Sequence, residues 1–351
     1  MGFGREKVNR RETLLIVSPF YFRGRIEMKL ESIGFYTLSD ERAKNASSTS
    51  QLMRGELILT DVCNFKCSYC KGLRSDVKET MSLARAKEVI DLWAREGLKN
   101  IRLSGGEPTI WPDLVELVWH ARLNQIKNIA ISTNGSADMS LYKDLINAGV
   151  NDFSISLDAC CSAFGDVMSG GIVGSWDKVV SNIKEIAKLS YTTLGVVVTE
   201  ETVADLNATI EFADSLGVSD IRIISAAQYN QLLNVVKTLN PEIYLKYPIL
   251  QYRILNLLQE RNVRGIQLAD SSKCGLVLDD MAIAGNYHFP CIIYMREGGD
   301  PIGKIGQSMR QERLVWSDTH DTHTDPICSK NCLDVCIDYN NTFRQGNKVR
   351  V

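Results

Sequence analysis

The sequence predicts an α/β fold, a partial (β/α)6 barrel of the TIM type followed by a small cysteine-rich C-terminal module, and three observations predict it. Short β-branched runs alternate with amphipathic stretches from Glu56 to about residue 268. Each run ends in something polar, where parallel α/β folds keep their chemistry. The turn after the first run is not the glycine-rich turn of a doubly wound nucleotide fold but Cys-Asn-Phe-Lys-Cys-Ser-Tyr-Cys, which favours the barrel.

Taken in order, strands are predicted at Glu56–Thr60, Asn100–Ser104, Asn128–Thr133, Asp152–Asp158, Thr192–Thr199 and Asp220–Ser225. Helices are predicted near 82–96, 112–124, 138–148, 175–190, 203–216 and 241–262, several opening on Ser, Thr or Asp and closing on Gly97, Gly149 or Gly217. Tyr244, Tyr247 and Tyr252 of the last helix read as packing residues. Gly285-Asn286 between two short runs, Met281–Ala284 and Tyr287–Ile293, reads as a hairpin in a separate small module. The domain reading is residues 1–50 as an N-terminal extension, 51–265 as the barrel and 266–351 as that module. Within the extension, strands at Thr13–Ser18 and Phe35–Leu38 flank a helix at Ile26–Ile33, and a polar linker runs from Lys44 to Gln51.

Composition is that of an ordinary globular chain, 351 residues with 44% hydrophobic and 23% charged. The formal charge of −2 supplies no basic field for a phosphate backbone, so nucleic acid is not a favoured partner. Leu14–Val17 is too short for a signal core or a membrane span. A cytoplasmic, reducing compartment is expected, and there the ten cysteines point to metal or chemistry rather than to disulfides.

Cys63, Cys67 and Cys70, spaced C-x3-C-x2-C on the first loop, can ligate three irons of a cubane cluster and leave the fourth open to a chelating ligand. An electron carrier or a structural zinc site would want a fourth nearby Cys or His, and residues 50–100 contain none. Gly105 and Gly106 let backbone approach a ligand closely, and Glu107 beside them can pair with an ammonium group; the plainer reading is a tight turn. Arg102, on the same strand, either touches substrate or pairs with a neighbour.

CNFKCSYC followed by LSGGEP resembles the signature of the radical S-adenosylmethionine (SAM) superfamily, over roughly Leu57 to Leu233. The resemblance implies a 4Fe–4S cluster whose open iron chelates the amino and carboxylate groups of SAM. An electron from the cluster would cleave SAM to methionine and a 5′-deoxyadenosyl radical that abstracts hydrogen from an organic substrate. Carried over by position, Cys63, Cys67 and Cys70 match the cluster ligands, and Tyr69 matches the aromatic that meets the adenine. Gly105, Gly106 and Glu107 match the segment receiving the methionine ammonium. Ser156 matches a polar strand-end contact to SAM, with Asn134 and Ser225 as candidates on neighbouring strands.

In the C-terminal module, Cys274 and Cys291 flank the hairpin, and Cys328, Cys332 and Cys336 follow as C-x3-C-x3-C. This is similar to SPASM or twitch domains, which hold an auxiliary 4Fe–4S cluster, although the spacings differ slightly from the family's. One auxiliary cluster is expected, on four of the five thiols, with Cys274, Cys291, Cys328 and Cys336 preferred. The alternative is a helix with buried apolar cysteines. His320 and His323 either ligate metal or, on the plainer reading, belong to a solvated polar loop. Cys160–Cys161 read as core thiols at a strand end, the alternative being a radical-quenching or substrate-facing role. The expected activity is oxidation, cross-linking or epimerisation of a peptide or sugar-like small molecule, with a reductant such as flavodoxin or ferredoxin and no membrane partner. The rival readings are a SAM-independent iron–sulfur electron-transfer protein and a catalytically inactive barrel used for binding.

Overall fold

A computed structural model describes residues 42–225 and 230–348. The strands and helix expected before residue 41 lie outside the described residues. Six parallel strands form the barrel wall: β1 (Arg54–Ile58), β2 (Asn100–Ser104), β3 (Asn128–Thr133), β4 (Asp152–Ser156), β5 (Tyr191–Val198) and β6 (Asp220–Ser225). Three more follow in the C-terminal part, β7 (Asp280–Ala284), β8 (Tyr287–Phe289) and β9 (Gly303–Lys304). The order is β6-β5-β4-β3-β2-β1-β7-β8-β9, an open sheet and therefore a partial barrel.

Alternation along each strand sets the layers. Leu57, Ile101, Ile129, Phe153, Leu194 and Ile221 pack under the helices in one hydrophobic core, and the intervening Arg102 and Ser154 turn to the interior of the barrel. There Arg102 stands 3.7 Å from Asp152, whose carboxyl burial pushes up to about 6, and Arg222 reaches Ser154 Oγ at 3.3 Å. Arg102 thus pairs with a neighbour.

The outer helices start and stop where the chain provides caps. Ser82 accepts from the Arg85 N–H to open Leu83–Arg95, and Gly149 closes Met139–Ala148 at φ 126°, a conformation that L side chains rarely adopt. The helix predicted over 241–262 is two pieces, Pro241–Tyr244 and Pro248–Leu258, because Pro248 lacks the N–H an uninterrupted helix needs. Tyr247 and Tyr252 do pack there, and their hydroxyls donate to Asp214 and Asp338.

The hairpin is not a detached unit. β7 pairs in parallel with β1 over Arg54–Leu57, so the sheet runs unbroken from barrel to hairpin. Trp93, fully buried, lays its ring against Gly55 of β1 and donates from Nε1 to Met281 Sδ of β7 at 3.2 Å. Across the expected boundary, Arg253 (2.5 Å) and Asn256 (2.8 Å) both donate to Asp334, a fully buried carboxylate at the start of the C-terminal helix Asp334–Lys348. No helix among the described residues is long and apolar enough to cross a membrane.

Candidate functional site

The loop after β1 carries Cys63, Cys67 and Cys70, the first and last exposed and the middle one half-buried. Three sides hold it. Below, the Gly106 and Glu107 N–H groups donate to the carbonyls of Thr60 (2.7 Å) and Val62 (2.9 Å). Beside it, Asn134 at the end of β3 donates to Asn64 Oδ1 at 2.8 Å, and Asn64 donates to Ser136. On the far side the Lys66 N–H reaches the Ser169 carbonyl. A Cβ on Gly106 would stand 2.2 Å from the Val62 carbonyl oxygen, and one on Gly105 2.6 Å from that of Thr60. The two glycines therefore let two protein loops meet, the plainer of the sequence readings.

Glu107 departs further from expectation. It is 1% exposed, and its carboxylate accepts from the Thr109 N–H (3.0 Å), the Thr109 hydroxyl (2.6 Å), the Thr133 hydroxyl (2.7 Å) and the Asn134 N–H (2.6 Å). Burial raises its pKa while these hydrogen bonds pull it down. With four donors already on it, the side chain ties the end of β2 to the end of β3 instead of waiting for an ammonium group.

Tyr69 donates its hydroxyl to Asp158 at 2.5 Å, and Asp158 also accepts from the Val197 N–H, so the loop is pinned to the ends of β4 and β5. Burial pushes Asp158 up to about 6 and raises Tyr69 well above the usual phenol range. Burial is also the main cause that lifts Cys67 to about 11 and raises Cys63. In the metal-free chain these thiols hold their protons at neutral pH, and iron must displace them.

The C-terminal part closes one side of the same loop. Arg296 donates to the carbonyls of Gly72 (3.0 Å) and Gly105 (2.9 Å), Lys71 pairs with Glu297 at 2.5 Å, and Arg264 lies 3.9 Å from Glu297. The resulting cleft, about 370 Å³, is lined by Cys63, Cys67 and Cys70 together with Tyr69, Gly105, Gly106, Glu107, Asn134, Ser156 and Ser225. Ser156 is exposed at the end of β4, whereas Ser225 at the end of β6 is buried. Sequence reasoning did not place Arg264, Arg296 and Glu297 here, because they lie beyond the strand–helix repeat. Asp158 was legible as a polar strand end.

Cys274, Cys291, Cys328, Cys332 and Cys336 form a second thiol group, each half-buried. Cys332 feels the charge of all four others, and burial is the first cause that raises every one of the five, Cys291 to about 12. Cys291 caps the helix Ile292–Arg296, and Asn340 donates to Cys274. The fully buried Arg313 spans the hairpin by donating to the carbonyls of Val277, Phe289 and Pro290, and its charge is felt by Cys274. His320 is not part of a solvated loop: its ring stacks on Trp316 with centroids 3.9 Å apart and its Nε2 reaches Cys328 Sγ at 3.9 Å. The His323 N–H donates to Asp321 within its own turn.

A strand-end cleft with three free thiols on one loop defines a class: residues 57–213 match the model of the Radical SAM superfamily, and this part of the chain is a radical SAM domain. Among particular relatives, the chain is 29% identical over 171 residues to the "Probable GTP 3',8-cyclase" of Metallosphaera sedula, covering 47% of this chain and 53% of that protein. It is 35% identical over 119 residues to the GTP 3',8-cyclase of Synechococcus elongatus, covering 32% and 36%. The chain spans about half the length of the first of these curated relatives. Among solved structures it is similar in fold to Streptococcus suis SuiB, with a TM-score of 0.55, 15% identity and coverage of 83% of this chain and 70% of that one. It is similar too to anSMEcpe with bound AdoMet, with a TM-score of 0.56, 16% identity and coverage of 84% and 94%. The match over residues 57–213 implies a 4Fe–4S cluster and SAM as cofactors. The residues fit them: three soft donors face a cleft with room for a chelating ligand, and the five further half-buried thiols, four of them within electrostatic reach of Cys332, make a donor set fit for an auxiliary cluster.

Proposed function

We propose that the protein uses this cluster and SAM to abstract hydrogen from an organic substrate, and that residues 266–351 hold an auxiliary 4Fe–4S cluster serving that oxidation. When bound, a cluster on Cys63, Cys67 and Cys70 would supply the electron for reductive cleavage of SAM to methionine and a 5′-deoxyadenosyl radical. The chain's own residues do the positioning. The Gly105–Glu107 turn, Asn134 and the Tyr69–Asp158 pair fix the cluster loop over the cleft, and Ser156 offers a polar contact at its exposed rim. The observation that carries the reading is that the three cluster thiols share one cleft with Tyr69, Asn134, Ser156 and Ser225 and with the Gly105–Glu107 turn.

A peptide is the first substrate class to test. The likeness to SuiB, a protein also solved bound to its precursor peptide SuiA, extends over 83% of the chain, whereas the match to the Metallosphaera cyclase covers 47%. A sugar-like small molecule is the second. A flavodoxin or ferredoxin as reductant and a cytoplasmic setting belong to the same reading. Anaerobically reconstituted protein is expected to bind about eight irons, two cubanes, and to release 5′-deoxyadenosine from SAM and dithionite. Replacing Cys63, Cys67 and Cys70 together with Ala should leave about four irons and no nucleoside. Nucleoside from that variant would refute the assignment.

A further inference from the structure

Five thiols in the C-terminal part exceed the four a cubane takes, and the surplus one has a distinct neighbourhood. One ligand atom each from His320, Asp325 and Cys328 lie within 4.8 Å of one another. His320 Nε2 stands 3.9 Å from Cys328 Sγ and 3.5 Å from Asp325 Oδ2. With metal–sulfur bonds of about 2.3 Å and metal–nitrogen or metal–oxygen bonds of about 2.0–2.1 Å, a tetrahedral zinc site has edges of roughly 3.6 and 3.3 Å, so the two edges that meet at His320 lie within a few tenths of an ångström of those of a zinc site. A cubane, by contrast, spreads its sulfur ligands farther apart than a single ion does.

We propose that His320, Asp325 and Cys328 form a site for one divalent ion of the zinc class, next to a cubane held by Cys274, Cys291, Cys332 and Cys336. The existence of the cubane rests on the auxiliary-cluster reading above, but the partition departs from the expected ligand set by giving the cubane Cys332 in place of Cys328. The three donors are held as metal ligands are held, by neighbours that fix their orientation. Asp325 accepts the Tyr294 hydroxyl on Oδ2 at 3.0 Å, and on Oδ1 the backbone N–H groups of Ile327 (2.8 Å) and Cys328 (2.7 Å). The His320 ring is stacked on Trp316 and meets Tyr294 edge-on. Side-chain exposure of 18% for His320 and 11% for Asp325 keeps the place within reach of solvent, so water or a substrate heteroatom can fill the fourth position. The set carries two formal negative charges when bound, from the thiolate and the carboxylate, and a divalent ion neutralises both.

The test is metal content of the reconstituted full chain after equilibration with zinc and removal of the excess, with X-ray absorption at the zinc edge. Wild type should hold about one zinc beside about eight irons, and its zinc should show one sulfur and the rest nitrogen or oxygen neighbours. His320→Asn, Asp325→Asn and Cys328→Ala should lose the zinc and keep the iron, whereas Cys332→Ala should keep the zinc and fall to about four irons. Wild type without stoichiometric zinc, or with zinc in an all-sulfur shell, would overturn the proposal. So would Cys328→Ala losing half the iron while Cys332→Ala keeps it. The zinc-edge spectrum needs no variant to fold. If wild type binds only about four irons, it is the auxiliary cluster that fails, and the zinc measurement still judges this site on its own.

Discussion

Replacing Glu107 with Gln separates a side chain that binds SAM from one that binds its own protein. The amide keeps one acceptor oxygen but turns an NH2 towards donors, and every partner of this carboxylate is a donor: the Thr109 N–H and hydroxyl, the Thr133 hydroxyl and the Asn134 N–H. The hydroxyls can rotate to accept, but the backbone N–H groups cannot. The charge-assisted hydrogen bond from the part-buried Asn134 N–H, the only donor on Oε2, is then lost, at a cost of about 1.5–3 kcal/mol. That is a sizeable part of a stability of about 5–15 kcal/mol. The variant should unfold at a clearly lower urea concentration in the metal-free state. The folded remainder should bind iron loosely, because Asn134 holds the cluster loop through Asn64. Urea titration and SAM cleavage at rising SAM concentration check it together. An unchanged unfolding midpoint with a raised KM for SAM would refute the structural account and restore the ammonium contact.

Asp334→Ala leaves the buried Arg253 without its carboxylate and should cost about 3–5 kcal/mol, read by chemical denaturation. The same change should lower iron content towards about four, because the helix it anchors carries Cys336. Replacing Cys274 and Cys291 together with Ala should leave SAM cleavage measurable yet stop product formation, with circular dichroism and proteolysis showing the barrel intact; turnover at the wild-type rate would show the auxiliary cluster to be without an oxidative role. Asp220, buried and pushed up to about 7, is held above its unfolded value of 3.8, so the stability it gives is complete below that lower value and is lost as pH rises through about 7. The melting temperature of Asp220→Asn relative to wild type should therefore rise across that window.

Local pattern made much of the barrel legible. β2, β3 and β6 fall on the predicted residues because β-branched runs bounded by turn signals leave little freedom. β1 begins two residues early, at Arg54 and Gly55, residue types that do not read as strand but pair with β2 and β7 on either side. The helix Ser162–Met168 was missed because Gly165 interrupts its pattern; that glycine is there to admit the Trp176 ring, whose Cδ1 a Cβ would meet at 2.0 Å. The cluster thiols could be read from spacing, whereas Glu107's role depends on Thr133 and Asn134 arriving from another strand. Arg296 and Glu297 at the cleft likewise depend on long-range packing that no local period encodes, and His320 meets Cys328 across a local turn without regular period.

The parallel pairing of β7 with β1 bears on how freely the C-terminal part could be exchanged or removed. Cutting the chain near residue 265 would bare the hydrogen-bonding edge of β1 over Arg54–Leu57, together with the apolar ring of Trp93 behind it. An unpaired edge of that kind recruits strands from other molecules. A truncated barrel is therefore expected to self-associate even with its three cluster cysteines in place, and the tail acts as a permanent guard on the strand that leads into the radical centre.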